Sequence, residues 1–321
     1  MTNYDMADNQ QTVDIIGKKW RLSRFSETAG KFSMLAKFQR QSLRQIIFEK
    51  TGKSQQSVSV SALKQVKRVV TASLSVSASA VLTDSLFGYD AIWDVIPGAT
   101  GVKLSIEQTG FATVKQSERL TRLLRNWKVQ RAHDAGADGI KLLIWYNKSA
   151  SEATLEYQIN IVSDIGNACS KHTIPFVLGV VCYPFDRTPT SSSEYANTKA
   201  MHVIDATASF SVPEFDVDLL KLEFLGNLIY AKENQKSSFH GGVVVNELSG
   251  NRDYFQQIDN TSRVPWMILI AGVESKEFVE NITLSNDAGA SGFLSGQAIW
   301  KDISETLLQV TGIQPRCTAL V

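Results

Sequence analysis

Two lysines of this sequence lie in short apolar segments, where a charged side chain is unexpected. Lys221 lies in the segment Asp218–Phe224 and Lys141 in Gly139–Tyr146, and both segments have the composition of buried strands. A fully buried lysine is rare unless it has a partner or a chemical task. Desolvation disfavours the ammonium form, which lowers the pKa and makes a nucleophilic amine available. Two such amines in one cavity would lower each other's pKa further and prepare one for imine formation with a ketone or aldehyde. The alternative is that each lysine lies at a strand end and reaches solvent along its aliphatic stem.

Apolar segments of this kind recur along the chain and alternate with stretches of helical periodicity. The predicted strands are Phe32–Ala36, Ala78–Thr83, Val102–Ile106, Gly139–Tyr146, Phe176–Tyr183, Leu219–Phe224, Trp266–Gly272 and Gly292–Ser295. The predicted helices include Ser61–Ser73, Ser117–Ala135, Glu152–Lys171, Tyr195–Phe210 and Lys276–Ala288. Strands that alternate with helices pair in parallel through helical crossovers. Eight such units in 321 residues predict an α/β fold, a single (β/α)₈ TIM barrel rather than an open sheet.

The chain shows no internal repeat and no boundary between two domains. Residues 1–31 contain the apolar side chains Ile15, Ile16, Trp20 and Leu22, and we predict that this segment caps the bottom of the barrel. Residues 32–321 are then the barrel domain.

Composition narrows the classes of partner. The net charge of +1 provides no general attraction for nucleic acid or for an anionic membrane, and no apolar run approaches the roughly 20 residues that a membrane span needs. The three cysteines, Cys169, Cys182 and Cys317, have no metal-ligand spacing, and their odd number argues against a disulfide framework. We therefore expect a cytoplasmic protein without a metal site in its cysteines, a nucleic-acid partner or a membrane.

Period-two alternation assigns further side chains to the same inner face as the lysines. If Lys221 points into the barrel, Glu223 does so as well. Active sites of this fold lie at the C-terminal ends of the strands, where Asp84 and Glu107 also fall. Glu223 is the candidate for proton transfer beside Lys221, and the alternative is that it forms a salt bridge with Lys141 or Arg40.

The loops after the seventh and eighth predicted strands form a second candidate feature. Their residues Gly272, Gly296 and Gln297 offer backbone N–H groups at the place where TIM barrels commonly hold phosphate. Lys276 would add positive charge there. Plain turns explain these glycines equally well.

Several longer stretches carry a family pattern. They are Phe32–Ala36 followed by Gln39-Arg40, Val102–Gly110, Glu118–Trp127, Ala135–Leu143, Val264–Leu269 and Ala288–Gly296. From about residue 30 to about residue 305, the chain resembles the class I tagatose-bisphosphate aldolases and the related sulfofructose-phosphate aldolases.

The resemblance implies an enzyme that cleaves a ketose or ketose phosphate through a lysine imine, giving a dihydroxyacetone-type ketone and an aldehyde. It places Lys221 at the imine-forming position and Lys141 at the second active-site lysine. The resemblance also implies a small-molecule ligand, a sugar or sugar phosphate, and a reaction that needs neither a metal nor a cofactor. A homo-oligomer is compatible with this expectation. The residues predicted to contact the substrate are Arg40, Asp84, Glu107, Gly272, Lys276, Gly296 and Gln297.

Four departures from the family pattern favour an alternative. Phe38 stands where the family has an aspartate, Gly179 where it has a proton-transferring glutamate, Ile270 where it has a phosphate-binding serine, and Gln297 where it has a phosphate-binding arginine. Loss of an acid/base group typically costs roughly 10²–10⁴-fold in rate. The alternative function is therefore a non-catalytic pseudo-aldolase with a binding or regulatory role. Because of Ile270 and Gln297 we expect phosphate affinity to be weak compared with that of the family.

Overall fold

A computed structural model describes residues 16–27, 30–36, 44, 59–185, 188–190, 192–223, 232, 244, 248–270 and 275–296. Eight parallel strands form a closed barrel. In chain order these strands are β1 (Phe32–Ala36), β2 (Ala80–Asp84), β3 (Gly101–Ser105), β6 (Gly139–Tyr146), β7 (Phe176–Cys182), β8 (Leu219–Glu223), β9 (Trp266–Ile270) and β10 (Gly292–Ser295). Two short strands outside the barrel are β4 (Ala112–Thr113) and β5 (Arg119–Leu120). The order around the barrel is β1-β10-β9-β8-β7-β6-β3-β2. The predicted TIM barrel is confirmed, and each barrel strand begins within two residues of its predicted start.

Helices surround the barrel and follow most of the predicted ranges. A first helical segment, α1, covers 16–23. The others are α2 (Val60–Leu74), α3 (Tyr89–Ile92), α4 (Val129–Asp134), α5 (Glu152–Lys171), α6 (Ser193–Phe210), α7 (Leu248–Thr261) and α8 (Ser275–Asp287). Side-chain caps mark two of the starts, because Ser59 accepts a hydrogen bond from the N–H of Ala62 and Ser192 from that of Tyr195.

Alternation along the strands separates two apolar clusters. The outward side chains of β6 and β8, including Leu142, Ile144 and Leu222, pack with the helices in a large outer cluster. The inward side chains, including Met34, Leu82, Val177, Leu219 and Met267, form a smaller cluster inside the barrel. Lys141 and Lys221 therefore share the face of the inner cluster.

The predicted helix Ser117–Ala135 is wrong in its first half. Only Val129–Asp134 is helical, whereas two short strands, β4 (Ala112–Thr113) and β5 (Arg119–Leu120), form an antiparallel hairpin. Ser117 has a φ of 63°, a left-handed conformation that interrupts a helix. Backbone bonds from Gln108 to Arg122 and from Leu124 to Ile106 hold the hairpin beyond the C-terminal end of β3. Tertiary contacts therefore override a helical pattern in the local sequence.

The chain around Phe25 closes the N-terminal end of the barrel. The Phe25 side chain is fully buried and packs against Gly101 and Gly139, the first residues of β3 and β6. Arg24 forms an ion pair with Asp138 at 2.6 Å, and Lys18 forms one with Asp218 at 2.9 Å. The division into a segment over 1–31 and a barrel domain over 32–321 stays a prediction. Within the described part of the chain, no helix has the length and apolar character needed to cross a membrane.

Candidate active site

Lys221 and Lys141 lie together inside the barrel. Lys221 pairs in register with Gly179 on β7, and Gly179 pairs with Leu143, two residues beyond Lys141 on β6. A Cβ atom at position 179 would lie 3.7 Å from the Cε atoms of both lysines. Both lysine side chains are fully buried. The alternative prediction, that each lysine reaches solvent along its aliphatic stem, is therefore wrong. The absence of a side chain at Gly179 leaves space between the two lysine stems.

Lys103 is a third lysine of the interior and is absent from the residues predicted from the sequence. It lies on β3, is fully buried, and its Nζ contacts the sulfur of Met34 and lies 5.3 Å from the ring centroid of Phe25. Lys103 has the same signal as the other two lysines, a cation in a short apolar strand. Its period-two relation to Ser105 and Glu107 could have revealed it.

Glu107 is the carboxylate that pairs with Lys141. Its Oε1 accepts a hydrogen bond from the Lys141 Nζ, and both side chains are almost completely excluded from solvent. Glu107 follows the end of β3 and is fixed by a backbone bridge to Leu123 of the hairpin connection. Its predicted contact with substrate stays a prediction. The pair stabilises the charged form of Lys141 in a site without bulk water.

The electrostatics of the site favour a neutral Lys221. Burial lowers the pKa of Lys221 well below its ordinary value, and the nearby charges of Lys141 and Lys103 lower it further. Burial also lowers the pKa of Lys141, but the carboxylate of Glu107 opposes this effect. For Lys103, burial and the charge of Lys141 lower the pKa to about 7. Burial and the two neighbouring lysines therefore favour the neutral, nucleophilic form of Lys221, although the carboxylates of Glu107 and Glu223 oppose this effect.

Glu223 lies at the rim of the barrel, two residues beyond Lys221 on β8. Its Oε1 is 3.6 Å from the Nζ of Lys199, and its Oε2 accepts a hydrogen bond of 2.8 Å from the N–H of Cys182. The alternative of a salt bridge between Glu223 and Lys141 is wrong, because Lys141 pairs with Glu107. The other alternative partner, Arg40, lies outside the described residues. The proton-transfer role of Glu223 stays a prediction.

Asp84 ends β2 and is fully buried. Its Oδ2 lies 2.9 Å from the Nζ of buried Lys67 on α2, and its Oδ1 accepts hydrogen bonds from the N–H groups of Leu86 and Phe87. These contacts fix the turn after β2 at the C-terminal face. Contact of Asp84 with substrate stays a prediction, and the observed partners give this carboxylate a structural role.

Several residues named by the sequence predictions lie outside the part of the chain that the structure describes. These are Phe38, Arg40, Gly272 and Gln297, together with the side chains of Ile270 and Lys276. Gly296 is described and buried directly after β10. Within the described part of the chain, no group of three or more His, Cys, Asp or Glu side chains is placed to hold a metal ion.

Comparison with known proteins now decides the family. Residues 34–302 match the model of the DeoC/LacD family aldolases. The chain belongs to this family. Over 285 residues it is 30% identical to the tagatose 1,6-diphosphate aldolase of Lactococcus lactis, an alignment that covers 88% of this chain and 84% of that protein. It is 29% identical over 294 residues to the tagatose 1,6-diphosphate aldolase of Streptococcus pneumoniae, covering 91% and 87% of the two chains.

Solved structures of aldolases have the same fold as this family member. The fructose-bisphosphate aldolase of Plasmodium falciparum superposes with a TM-score of 0.64 at 11% identity, over 94% of this chain and 91% of that chain. A Schiff-base-forming fructose-1,6-bisphosphate aldolase superposes with a TM-score of 0.53 at 14% identity, over 92% and 99%. At these identities the likeness shows the barrel fold alone.

Proposed function

We propose that this protein is a class I aldolase that cleaves a phosphorylated ketose, with Lys221 as the amine that forms the imine. The observation that carries the proposal is the placement of two fully buried lysines beside each other in the barrel, flanking Gly179. Membership of the DeoC/LacD aldolase family supports the reaction class. Nothing in the geometry or in the comparisons favours the non-catalytic alternative.

In the proposed reaction the neutral Lys221 amine attacks the ketose carbonyl carbon and forms a carbinolamine. Protonation and loss of the hydroxyl as water give an iminium ion. A base then removes the proton of the hydroxyl on C4, the C3–C4 bond breaks, and the electron pair enters the iminium to form an enamine while the aldehyde leaves. Protonation of the enamine at C3 and hydrolysis release the ketone and the free lysine.

Lys141 is proposed to act as a fixed positive charge. Its partner Glu107 holds it in the charged form, and its charge keeps the pKa of Lys221 low. A cation beside the reacting carbon also stabilises the oxygen anions that develop as the carbinolamine forms. Lys141 therefore supports the nucleophile without being consumed.

Two carboxylates are candidates for the proton transfers. Glu107 contacts the lysine pair through Lys141, whereas Glu223 lies on the strand of Lys221 but is held by Lys199 and the Cys182 N–H. We propose that one of the two replaces the glutamate that the resemblance expects at Gly179. Substitution of each carboxylate by its amide distinguishes the two candidates.

The names of the relatives indicate the substrate class. Both are tagatose 1,6-diphosphate aldolases, and we propose a ketose carrying at least one phosphate ester for this chain. A cytoplasmic location and assembly into a homo-oligomer stay predictions from the sequence.

The test is reductive trapping with borohydride. Hydride addition to an iminium gives a stable secondary amine, so incubation with dihydroxyacetone phosphate or a ketose bisphosphate should add the reduced ligand to the peptide that contains Lys221. Lys221→Met should abolish the adduct, while Lys128→Met, at an exposed lysine, should leave it unchanged. Failure of the wild-type protein to trap any ligand of a broad ketone and ketose panel would reject the proposal and favour the pseudo-aldolase.

Further variants assign the supporting roles. Lys141→Met removes the neighbouring charge, so the pKa of Lys221 should rise and trapping at neutral pH should slow, with recovery at higher pH. Glu223→Gln and Glu107→Gln should differ in cleavage of the ketose. The variant that traps the ketone at nearly the wild-type rate but loses cleavage by roughly 10²-fold or more identifies the proton-transfer residue.

A further inference from the structure

Arg119, on the hairpin beyond β3, lies between three aromatic rings at the C-terminal face. Its guanidinium carbon is 4.4 Å from the ring centroid of Phe111, 5.0 Å from that of Trp145 and 4.9 Å from that of Tyr183. Trp145 is itself fixed by a hydrogen bond from its Nε1 to the Gly110 carbonyl at 3.2 Å. A guanidinium held by aromatic faces keeps its charge while its position is restricted.

The hydrogen-bonding groups of this guanidinium are not used by the rest of the described structure. Its main chain is bound, because the Arg119 N–H donates to the Tyr183 hydroxyl and the Arg119 carbonyl accepts from Gln158. Within the described ranges, no carboxylate lies within salt-bridge distance of the Arg119 side chain, and none of the hydrogen bonds found there involves its guanidinium. A guanidinium carries five N–H donors in one plane, and none of them is used within the described residues.

The elements around Arg119 are those that build the mouth of the barrel. Trp145 lies four residues beyond Lys141 on the same face of β6, which corresponds to about 13 Å of strand. Tyr183 follows the last residue of β7. The hydroxyl of buried Tyr195, at the start of α6, makes no hydrogen bond with any described residue and interacts electrostatically with Arg119. Tyr195 is therefore a second donor without a described partner in the electrostatic surroundings of Arg119.

We propose that Arg119 is an anion-binding residue for a terminal phosphate of the substrate, with Tyr195 as a neighbouring donor. The proposal rests on the proposed ketose phosphate aldolase function and deepens it. Guanidinium binds a tetrahedral oxyanion with two parallel hydrogen bonds. Arg119 supplies from the hairpin the positive charge that Gln297 does not supply from the last loop. The carboxylate of Glu223 interacts electrostatically with Arg119 and would oppose an anion, but Lys199 and the Cys182 N–H partly compensate its charge.

The experiment measures equilibrium binding of hexitol 1,6-bisphosphate, which has no carbonyl and cannot form an imine, to the wild-type protein by calorimetry. Arg119→Met should weaken binding by roughly 10- to 100-fold, because a charge-assisted contact is lost. Arg122→Met, at an exposed arginine three residues further along the same connection, is the matched control and should bind as the wild type does. Hexitol 1-phosphate and hexitol 6-phosphate then identify which phosphate Arg119 contacts, because only the loss of that ester should abolish the effect.

Several outcomes would overturn the proposal. It fails if the wild type does not bind the bisphosphate, if Arg119→Met binds it as tightly as the wild type, or if Arg119→Met weakens unphosphorylated hexitol to the same extent. If Arg119→Met does not fold, Arg119→Lys provides the test. It keeps a charge but cannot bind two oxygens in parallel, and it should lose several-fold in affinity for the bisphosphate and none for hexitol. Because this binding needs no imine, its outcome is independent of borohydride trapping at Lys221.

Discussion

At the scale of single residues, Lys103 shows how a buried charge acts on both stability and chemistry. Its ammonium group contacts Met34 and Phe25, whose side chains replace the lost water molecules poorly. Its charge adds to that of Lys141 in lowering the pKa of Lys221. Its own pKa is lowered from 10.5 to about 7. Burial of Lys103 therefore lowers the stability of the folded protein, as is common for residues of active sites.

Lys103→Met is expected to raise the free energy of unfolding by about 1–4 kcal/mol at pH 7, because an apolar side chain of similar length replaces a buried cation. Between pH 7 and 10.5, Lys103 is protonated in the unfolded wild-type chain but mostly neutral in the folded protein. The free energy of unfolding of the wild type therefore rises with pH over this range. The advantage of the variant should therefore be largest below pH 7 and decline towards pH 10.

Urea denaturation of both proteins at pH 6, 8 and 9.5 measures this difference. Lys19→Met, at an exposed lysine of α1, is the control and should change stability little at any of these pH values. A gain for Lys103→Met that stays constant from pH 6 to pH 9.5 would show that packing, and not the charge, causes it.

At the scale of elements, the hairpin connection after β3 is held to the start of α5 by one carboxylate. Glu118 accepts hydrogen bonds from the Ser151 N–H at 2.7 Å, from the Ser151 hydroxyl at 2.7 Å and from the Thr154 hydroxyl. Tyr157 adds a hydrogen bond of 2.9 Å to the Thr121 carbonyl. A negative charge at a helix N-terminus is favourable, so Glu118 stabilises α5 and fixes the hairpin that carries Arg119.

Glu118→Gln should lower the free energy of unfolding by about 1–3 kcal/mol at pH 7. The carboxylate accepts three hydrogen bonds with its two oxygens, whereas the NH₂ group of the amide cannot accept any, so at least one buried donor would lose its partner. Burial is the largest effect on this carboxyl and opposes ionisation. The hydrogen bonds from Thr154 and Ser151 more than offset it, so the pKa of Glu118 lies below its ordinary value of 4.5. The contribution of Glu118 is therefore present above pH 4.5 and lost as the pH falls through the lower folded value.

Thermal or urea unfolding of Glu118→Gln and wild type at pH 7 and at successively lower pH tests this expectation. Glu152→Gln, at an exposed glutamate in the first turn of α5, changes the same charge without the three hydrogen bonds. It should cost at most about 1 kcal/mol. An equal effect of the two substitutions would mean that only the helix dipole is involved.

At the scale of the whole molecule, the N-terminal chain and the barrel share one apolar interior. Phe25 is fully buried against the first residues of β3 and β6 and lies under Lys103. The ion pairs of Lys18 and Arg24 hold this chain to the ends of the strands. The same closure keeps water from the bottom of the barrel and therefore maintains the low pKa values of the lysines.

Phe25→Ala should destabilise the fold by about 3–5 kcal/mol, the usual cost of removing a buried aromatic ring. Water entering the cavity should also raise the pKa of Lys103, so the wild-type rise in stability between pH 7 and 10.5 should become smaller. Trp20→Ala removes an aromatic ring that is 69% exposed on the same segment, and it should cost little. Similar losses for both variants in chemical denaturation would contradict a specific role of Phe25.

The sequence by itself determined the architecture and the central pair of the site. Strand and helix periodicities are local properties, and eight alternating units leave few alternatives to a barrel. The placement of Lys141 and Lys221 on one inner face follows from period-two alternation, because a shift by one residue would bury the wrong side of each strand. Helix α5 has its predicted bounds for the same reason, since its apolar stripe and its ends are encoded within the segment.

Only the tertiary structure decided which charges meet and where the connection after β3 runs. Alternation placed Glu223 on the inner face but could not show that Lys199 and the Cys182 N–H bind it, or that Glu107 pairs with Lys141. The arrangement of Arg119 among three rings depends on a hairpin that the local sequence describes as a helix. These features arise from contacts between residues distant in sequence, whose energies compete with local propensity and have no signature in the spacing of residues along the chain.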